Sequence, residues 1–183
     1  TNRNDILART LTTGTYEMAE VEPSLSPSMD IQISSNFERL LFDLYEGDGK
    51  AIAEMMASFR EKKNLTLSPR ALSRLRAEFM AASASDEETK ATIKSCYEIT
   101  GELLDPHSAV GLCAGNKARK DSRVPLVVLA TAHPAKFPDA VESASGIHPT
   151  LPPHLADLLS RKEKFTRMAN AVNAVKGFID EKI

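Results

Sequence analysis

The chain has 183 residues, of which 42 % are hydrophobic and 26 % are charged. This is an ordinary globular composition, and it excludes a chain that is disordered throughout. The formal net charge is −2 and no long run of lysine and arginine occurs, so nothing favours a nucleic-acid partner. No apolar run approaches the roughly 20 residues that a membrane-spanning helix needs, so no membrane partner is expected.

The cysteines and histidines suggest no metal site. Two cysteines, Cys96 and Cys113, and four scattered histidines form neither a disulfide framework nor a zinc-binding spacing. Cys96 falls on the apolar face of a predicted helix, which favours a buried free thiol and a reducing, cytoplasmic setting. The chain opens on a threonine rather than a methionine, which leaves open a processed product or a piece of something longer.

The first third of the chain is predicted to be mainly helical. A helix over 4–11 ends near Gly14, and residues 15–33 form an extended connection. Apolar residues at i, i+3, i+4, i+7 and i+8 predict a helix over 37–45, with Ser35 and Glu38 as a capping box. A further helix over 50–62 places two methionines and Phe59 on one face, for which core packing is favoured over a ligand groove.

The rest of the chain alternates helices with two predicted strands. Helices are predicted to begin at Pro69, after the cap Ser68, and at the capping box of Ser85 and Glu88. Others begin at Pro106 and near Pro138, and a last one spans 165–179. The strands are FMAASAS at 79–85 and the apolar VPLVVLA at 124–130. This alternation predicts the α/β class, but a buried strand needs neighbours, and the chain offers few.

Three polar stretches adjoin predicted element ends. Thr131, His133 and Lys136 follow the strand 124–130, and ligands of parallel α/β sheets lie outside the carboxyl ends of strands. A hydroxyl, a proton-exchanging imidazole and a cation there suit a ligand site, although a solvated loop is slightly favoured from residue types alone. The second stretch is DPHSAVG from Asp105, which is favoured as a structural helix start. The third is SPSMDIQISSNFERL at 26–40, where Ser34, Ser35 and Asn36 open a helix and Arg39 lies one turn inside it.

Other motifs carry little chemistry. GDGK at 47–50 lacks the spacing and the Ser/Thr of a P-loop and is interpreted as a turn. No Ser-His-Asp or Cys-His arrangement is favoured by the spacing of these residues.

The same stretches resemble the threonine synthase family. TNRNDILARTLTTGTY, SPSMDIQISSNFERLLFDL, DPHSAVG and VVLATAHPAKF are similar, in this order, to consecutive segments of its carboxyl-terminal portion. The resemblance covers most of residues 1–140 and is weaker after them. It implies an α/β fold: the helix-rich carboxyl-terminal part of a tryptophan-synthase-β-like (fold type II) pyridoxal-phosphate enzyme. It also implies that residues 1–183 are an incomplete part of the cofactor-binding region.

The family converts O-phospho-L-homoserine and water to L-threonine and phosphate with pyridoxal 5'-phosphate, a carbon-oxygen lyase reaction acting on phosphates. The resemblance implies that Thr131, at the end of a late strand, hydrogen-bonds the pyridine nitrogen of the cofactor. The Schiff-base lysine and the glycine-rich phosphate cup belong to the amino-terminal part of the enzyme, so this chain holds no catalytic lysine and is expected to be inactive alone. Lys136 is not that lysine.

Substrate contacts follow less directly. The residues around six candidate substrate contacts resemble the family: Asn36, Arg39, Asp105, Ser108, His133 and Lys136. Arg39 and Lys136 are the candidates for binding the substrate phosphate. Two alternatives stay open: a non-catalytic helical binding module derived from the same scaffold, and a generic cytoplasmic α/β domain whose motifs are all helix caps.

Overall fold

The computed structural model describes all residues from Thr1 to Ile183, which form two compact units, 1–149 and 150–183. The first unit begins with helix α1 (Ile6–Thr13), strand β1 (Thr15–Glu17) and a 3-10 turn at Pro27–Met29. Helices α2 (Phe37–Leu44) and α3 (Gly49–Lys62), strand β2 (Asn64–Thr66) and helix α4 (Pro69–Glu78) follow. Helices α5 (Asp86–Thr100), α6 (Pro106–Ala118) and α7 (Pro138–Ser145) complete it.

The core of the first unit lies between α1, α2, α3, α4 and the two strands. β1 and β2 pair antiparallel, with Tyr16 opposite Leu65. Tyr16 and Phe59 are at most 1 % exposed, and their ring centroids lie 4.7 Å apart. The predicted methionine and phenylalanine face of α3 points into this core, as Met56 and Phe59 are both buried. A second apolar group joins α5, α6 and α7 and contains Ile93, Val110 and Val141.

Helix starts with strong capping residues agree with the sequence. The Ser68 side chain accepts from the Ala71 N–H at the start of α4, and Ser85 and Glu88 form the predicted capping box of α5. Gly14 ends α1 with φ of 81°, a left-handed conformation that costs glycine little. These local signals work because each satisfies backbone groups that a helix end leaves unpaired.

The predicted capping box of Ser35 and Glu38 is wrong. Asn36 precedes α2 with helical dihedral angles, and no side chain caps this helix. The Ser34 N–H instead donates to the Tyr16 hydroxyl at 2.7 Å, and the Phe37 N–H donates to the Ser34 carbonyl at 3.0 Å. A contact with the core has therefore replaced the local cap.

Neither predicted strand forms. Beyond Phe79, the only backbone partner of residues 80–84 is Thr1, and one residue makes no ladder. In 124–130 the amides of residues 126–130 have no hydrogen-bond partner, and Val127 and Leu129 are 82 % and 77 % exposed. The chain supplies no strand beside either segment, and a strand without a neighbour cannot exist. Strand β1 lies in the segment predicted as an extended connection, and β2 lies between two predicted helices, where no strand was predicted.

An extended stretch with alternating exposure nevertheless lies along α6. Leu126 and Val128 approach α6, where side-chain carbons lie 3.3 Å from the positions that a Cβ would take at Gly115 and Gly111. A Cβ at either glycine would require the facing side chain to shift by a few tenths of an ångström, so the glycines allow this close approach. Val127 and Leu129 face the opposite way. The segment 124–130 therefore has one packed face and one bare apolar face.

A polar network holds the long connection after β1. The Asn2 side chain donates to Ser24 Oγ and Asp30 Oδ1, both at 2.7 Å, and the Asn4 side chain donates to Asp30 Oδ1 at 2.9 Å. Asn2 and Asn4 are buried, and a buried amide without partners is costly. The network fixes residues 20–32, which contain only the short 3-10 turn Pro27–Met29, so the predicted connection is ordered mainly by side chains.

The second unit, 150–183, contains two 3-10 turns, Pro153–Leu155 and Leu158–Ser160, and helix α8 (Val172–Asp180). The last helix was predicted over 165–179, but α8 has nine residues, and residues 165–171 lie outside it. Its apolar residues, such as Val172 and Val175, are exposed. None of the helices in the protein is both long and apolar enough to span a membrane.

Burial of Tyr16 predicts a loss of stability at alkaline pH. Burial raises the pKa of the Tyr16 phenol above its ordinary value near 10, although its bond from Ser34 opposes this. Above pH 10 the unfolded phenol ionises while the folded one stays protonated, so the free energy of unfolding falls by about 1.4 kcal/mol per pH unit until the folded pKa is passed. Below pH 10 this contribution is constant.

Urea unfolding between pH 8 and 11 measures this effect. Tyr16→Phe should lose about 1 kcal/mol at pH 8, where the bond from Ser34 is missing, and its stability should fall less steeply above pH 10. Tyr97→Phe, at a half-buried tyrosine of α5, is the control and should keep the slope of the unchanged protein. An unaltered slope in Tyr16→Phe would assign the alkaline loss to other groups.

Candidate functional site

The start of α6 organises the candidate site around one buried carboxylate. Asp105 is 1 % exposed and caps α6, because its oxygens accept from the backbone N–H groups of His107 at 2.9 Å and Ser108 at 3.3 Å. Pro106 follows it at the first helical position, where its missing N–H costs nothing. The structural role predicted for DPHSAVG is confirmed.

Each oxygen of Asp105 also accepts from a side chain. Oδ1 lies 2.9 Å from His107 Nδ1, and Oδ2 accepts from the Ser108 hydroxyl in a short hydrogen bond. All of these acceptor bonds lie in a buried environment, where hydrogen bonds are stronger and lost partners cost more. Asp105 therefore orients both His107 and Ser108.

Ser108 connects Asp105 to Thr131. Its hydroxyl accepts from the Thr131 N–H at 3.1 Å, so the backbone at Thr131 is fixed by a bond across 23 residues of sequence. The Thr131 hydroxyl has no hydrogen-bond partner in the chain and is exposed. The structure thus brings Asp105, Ser108 and Thr131 together, as three of the predicted site residues.

His107 connects Asp105 to Ser28 and to Phe137. Its Nε2 lies 3.3 Å from the Ser28 backbone nitrogen, and its ring packs on Phe137 with centroids 4.6 Å apart. Its side chain is only 8 % exposed. The sequence analysis did not select His107, and the available signal was its place two residues after a buried helix cap.

A cavity of about 540 Å3 lies beside these residues. Its lining contains the hydroxyl residues Thr1, Ser28 and Thr131, apolar residues such as Val110 and Leu126, and His107. The Thr1 hydroxyl is buried without a partner, and neither Ser28 nor Thr131 uses its hydroxyl in a bond within the chain. No carboxylate, lysine or arginine lines the cavity. It therefore suits an uncharged, flat group with polar edges.

Two other candidates lie apart from this cavity. Asn36 lines a neighbouring apolar cavity of about 440 Å3, which shares Thr1 and Gly115 with the first one. Arg39 borders a groove between α2 and the start of α3, together with Asp43. Arg39 forms no ion pair within the chain, and both Asn36 and Arg39 are exposed.

His133 and Lys136 are both exposed beyond Thr131. The His133 Nδ1 accepts from the Ala135 N–H at 3.2 Å and so caps the 3-10 turn Pro134–Lys136. The Lys136 ammonium lies 5.8 Å from the centre of the Phe137 ring and has no carboxylate partner. Neither residue lines the cavity.

Comparisons with known proteins agree in one family. A family model described as threonine synthase, C-terminal, matches residues 108–179. The chain is 47 % identical over 182 residues to the threonine synthase of Pseudomonas aeruginosa, and the match covers 99 % of this chain and 39 % of that protein. It is 39 % identical over 209 residues to the threonine synthase of Saccharomyces cerevisiae, covering 100 % of this chain and 40 % of that protein.

Solved structures give the same result. The pyridoxal-phosphate-bound threonine synthase from Brucella melitensis has a TM-score of 0.87 at 49 % identity, covering 99 % of this chain and 39 % of that one. The yeast threonine synthase has a TM-score of 0.83 at 37 % identity and covers 100 % of this chain and 41 % of that one. The chain spans about 39 % of the length of the first of these relatives.

Proposed function

Because this chain has the sequence and the fold of the carboxyl-terminal part of the threonine synthase family, we propose that it is that part of an active threonine synthase. The enzyme would convert O-phospho-L-homoserine and water to L-threonine and phosphate. The observation that carries this proposal is the similarity of the whole chain, at nearly half identity, to one contiguous part of these enzymes.

Pyridoxal 5'-phosphate fits the cavity beside α6. Apolar walls with hydroxyl groups and no charged side chain suit the flat pyridine ring, and the unpartnered hydroxyls can bond its polar edge. When bound, this cofactor stabilises the negative charge that develops on carbon after proton removal. The cavity offers no cation for the cofactor phosphate, so that group would be held by another part of the enzyme.

We assign Thr131 to the ring nitrogen of the cofactor. The bond from its N–H to Ser108 fixes the backbone and leaves the hydroxyl free to point at a ligand. A hydroxyl is neutral, so it would bond the ring nitrogen without holding a proton on it as a carboxylate does. This would moderate electron withdrawal by the ring and favour reaction at the β and γ carbons over side reactions.

Replacing Thr131 tests this assignment. Thr131→Val keeps the size of the side chain and removes the hydroxyl, so the dissociation constant of pyridoxal phosphate should rise about tenfold, which corresponds to one hydrogen bond. Absorbance titration of the cofactor-free enzyme measures it. Thr131→Ser restores a hydroxyl and should bind within about threefold of the unchanged enzyme. Equal affinity in all three proteins would remove Thr131 from the site.

The remaining candidates divide into two roles. Asp105 and Ser108 use their polar atoms on each other and on Thr131, so we propose that they position Thr131. Arg39 and Lys136 are cations without ion pairs in the chain, and they stay our candidates for the substrate phosphate. Asn36 and His133 stay candidates for the rest of the substrate, since both are exposed near element ends.

We propose that the amino-terminal part of the same enzyme completes the site. It would supply the Schiff-base lysine and the phosphate cup, and it would pair with residues 124–130. That segment is extended, packs one face on α6 and leaves its other face bare and its amides unpaired. Strand addition on both edges would satisfy these amides, and packing of the amino-terminal part against the bare face would bury Val127 and Leu129. Residues 1–183 are then an incomplete domain and inactive alone.

Phosphate release from O-phospho-L-homoserine tests the reaction. The complete enzyme, loaded with pyridoxal phosphate, should release one phosphate for each threonine formed. No turnover by a loaded and folded enzyme would instead favour a non-catalytic helical module that acts by binding. Both cysteines are free thiols, which supports a reducing, cytoplasmic compartment for the enzyme.

A further inference from the structure

We propose that His107 is a positioning residue that holds Ser28 at the cofactor cavity, so that the Ser28 hydroxyl is a second group bonding the cofactor ring. This inference rests on the proposed function, because it concerns the same cavity. It is carried by two contacts, Asp105 to His107 and His107 to Ser28, and by the presence of both Ser28 and Thr131 in the lining of the cavity.

The hydrogen bonds of His107 assign a role to each ring nitrogen. Asp105 Oδ1 can only accept, so Nδ1 of His107 carries a hydrogen and donates across 2.9 Å. The Ser28 backbone N–H can only donate, so Nε2 accepts across 3.3 Å and carries no hydrogen. In this arrangement Nδ1 of His107 is the donor to Asp105 and Nε2 is the acceptor from Ser28. The buried carboxylate selects this tautomer, as it does for many functional histidines.

Hydrogen bonds and ring packing fix the position of His107. Its backbone N–H is bonded to the same Asp105 oxygen, its ring packs on Phe137, and its side chain is 8 % exposed. A ring held in this way can hold another segment in turn. Ser28 belongs to a 3-10 turn of three residues whose own hydrogen bonds use the N–H groups of Met29 and Asp30, so the bond to His107 is the one that ties the Ser28 N–H to α6.

Asp105 thereby links two walls of one cavity. Through Ser108 it fixes Thr131, and through His107 it fixes Ser28. In both cases the backbone N–H is the anchored atom, and the side-chain hydroxyl stays without a partner in the chain. The cavity thus presents two free hydroxyls, and both residues are held through Asp105. Because no charged side chain lines the cavity, these hydroxyls suit two polar edges of one ring better than the phosphate, ammonium or carboxylate of a substrate.

Two substitutions of His107 separate its two bonds. The amide nitrogen of His107→Asn can take the place of Nδ1 and bond Asp105, but nothing takes the place of Nε2. The amide oxygen of His107→Gln can take the place of Nε2 and accept from Ser28. Ser28→Ala removes the hydroxyl and keeps the backbone bond, and it replaces an exposed residue, so it should not affect folding. His148→Gln, at an exposed histidine beside Glu142, is the control.

Absorbance titration of the cofactor-free complete enzyme with pyridoxal phosphate gives the dissociation constant of each variant. We expect it to rise about fivefold to tenfold in His107→Asn and in Ser28→Ala, and to stay within about threefold in His107→Gln. It should be unchanged in His148→Gln. Thermal unfolding without cofactor should show a folded protein in every case.

Three results would overturn the inference. Unchanged affinity in Ser28→Ala would remove its hydroxyl from the cofactor site. Equal weakening in His107→Asn and His107→Gln would show that the acceptor bond to Ser28 has no role, and unchanged affinity in both would remove His107. A folded enzyme that shows the expected series but releases no phosphate would refute the proposed reaction and leave the positioning role standing.

Discussion

Asp105→Ala is expected to lower the free energy of unfolding by about 3 kcal/mol. The change removes the cap of α6 and leaves the His107 ring and the Ser108 hydroxyl without their buried acceptor. Loss of a cap costs about 1 kcal/mol, and each unpaired buried group adds about 1 kcal/mol or more. Urea unfolding followed by circular dichroism measures the loss, and the affinity for pyridoxal phosphate should fall with it because Thr131 loses its anchor.

Asp48→Ala provides the matched control for this substitution. Asp48 also caps a helix, since its side chain accepts from the Ala51 N–H at 3.0 Å at the start of α3. It is exposed and orients no other side chain, so its loss should cost only about 1 kcal/mol and leave cofactor affinity unchanged. Equal destabilisation by the two substitutions would contradict the organising role of Asp105.

Phe59→Ala is expected to have an effect of similar size, about 3–5 kcal/mol, through packing alone. Phe59 is 0 % exposed, lies on the inward face of α3 and packs against Tyr16 of β1. Its removal leaves a cavity between helix and strands that the surrounding side chains cannot fill. The midpoint of urea unfolding should fall with little change in the slope of the transition.

Phe42→Ala is the control, because it removes the same aromatic ring at a partly exposed position. Phe42 lies on α2 and is 43 % exposed, so the same change there should cost less than about 1 kcal/mol. A small loss at Phe59, similar to that at Phe42, would show that the core between α3 and β1 is not packed as described.

Helices were predictable because their signals are local. Ser68 with Pro69, and Ser85 with Glu88, act on backbone groups within one turn, so the sequence alone shows where α4 and α5 begin. The cap at Ser35 failed because a tyrosine from another segment bonds Ser34. Such a contact crosses 18 residues and leaves no local pattern in the sequence.

Strands were not predictable in the same way. β1 and β2 have three residues each and pair across the intervening helices, so neither shows a pattern of its own. The apolar segment 124–130 has the composition of a buried strand, but pairing depends on a neighbour that these residues do not include. The composition of 124–130 therefore indicated a segment that pairs with neighbouring strands, but no strand forms within this chain.

The candidate site was predictable in part. Asp105 and Ser108 were selected from one stretch and Thr131 from another, and the structure joins the three through two hydrogen bonds. The partnership of His107 with Ser28 was missed because the two residues are 79 positions apart and no local spacing in the sequence links them. Which candidates contact the substrate stays a prediction, since Arg39 and Lys136 lie outside the cavity.

Complementation between separate parts of the enzyme tests the central claim most directly. Residues 1–183 and the amino-terminal part would be produced separately and assayed, alone and combined, for phosphate release from O-phospho-L-homoserine with pyridoxal phosphate supplied. The complete enzyme is the reference. We predict activity in the complete enzyme and in the combination, and none in either part alone. Turnover by residues 1–183 alone, or no turnover by the complete enzyme, would contradict the account.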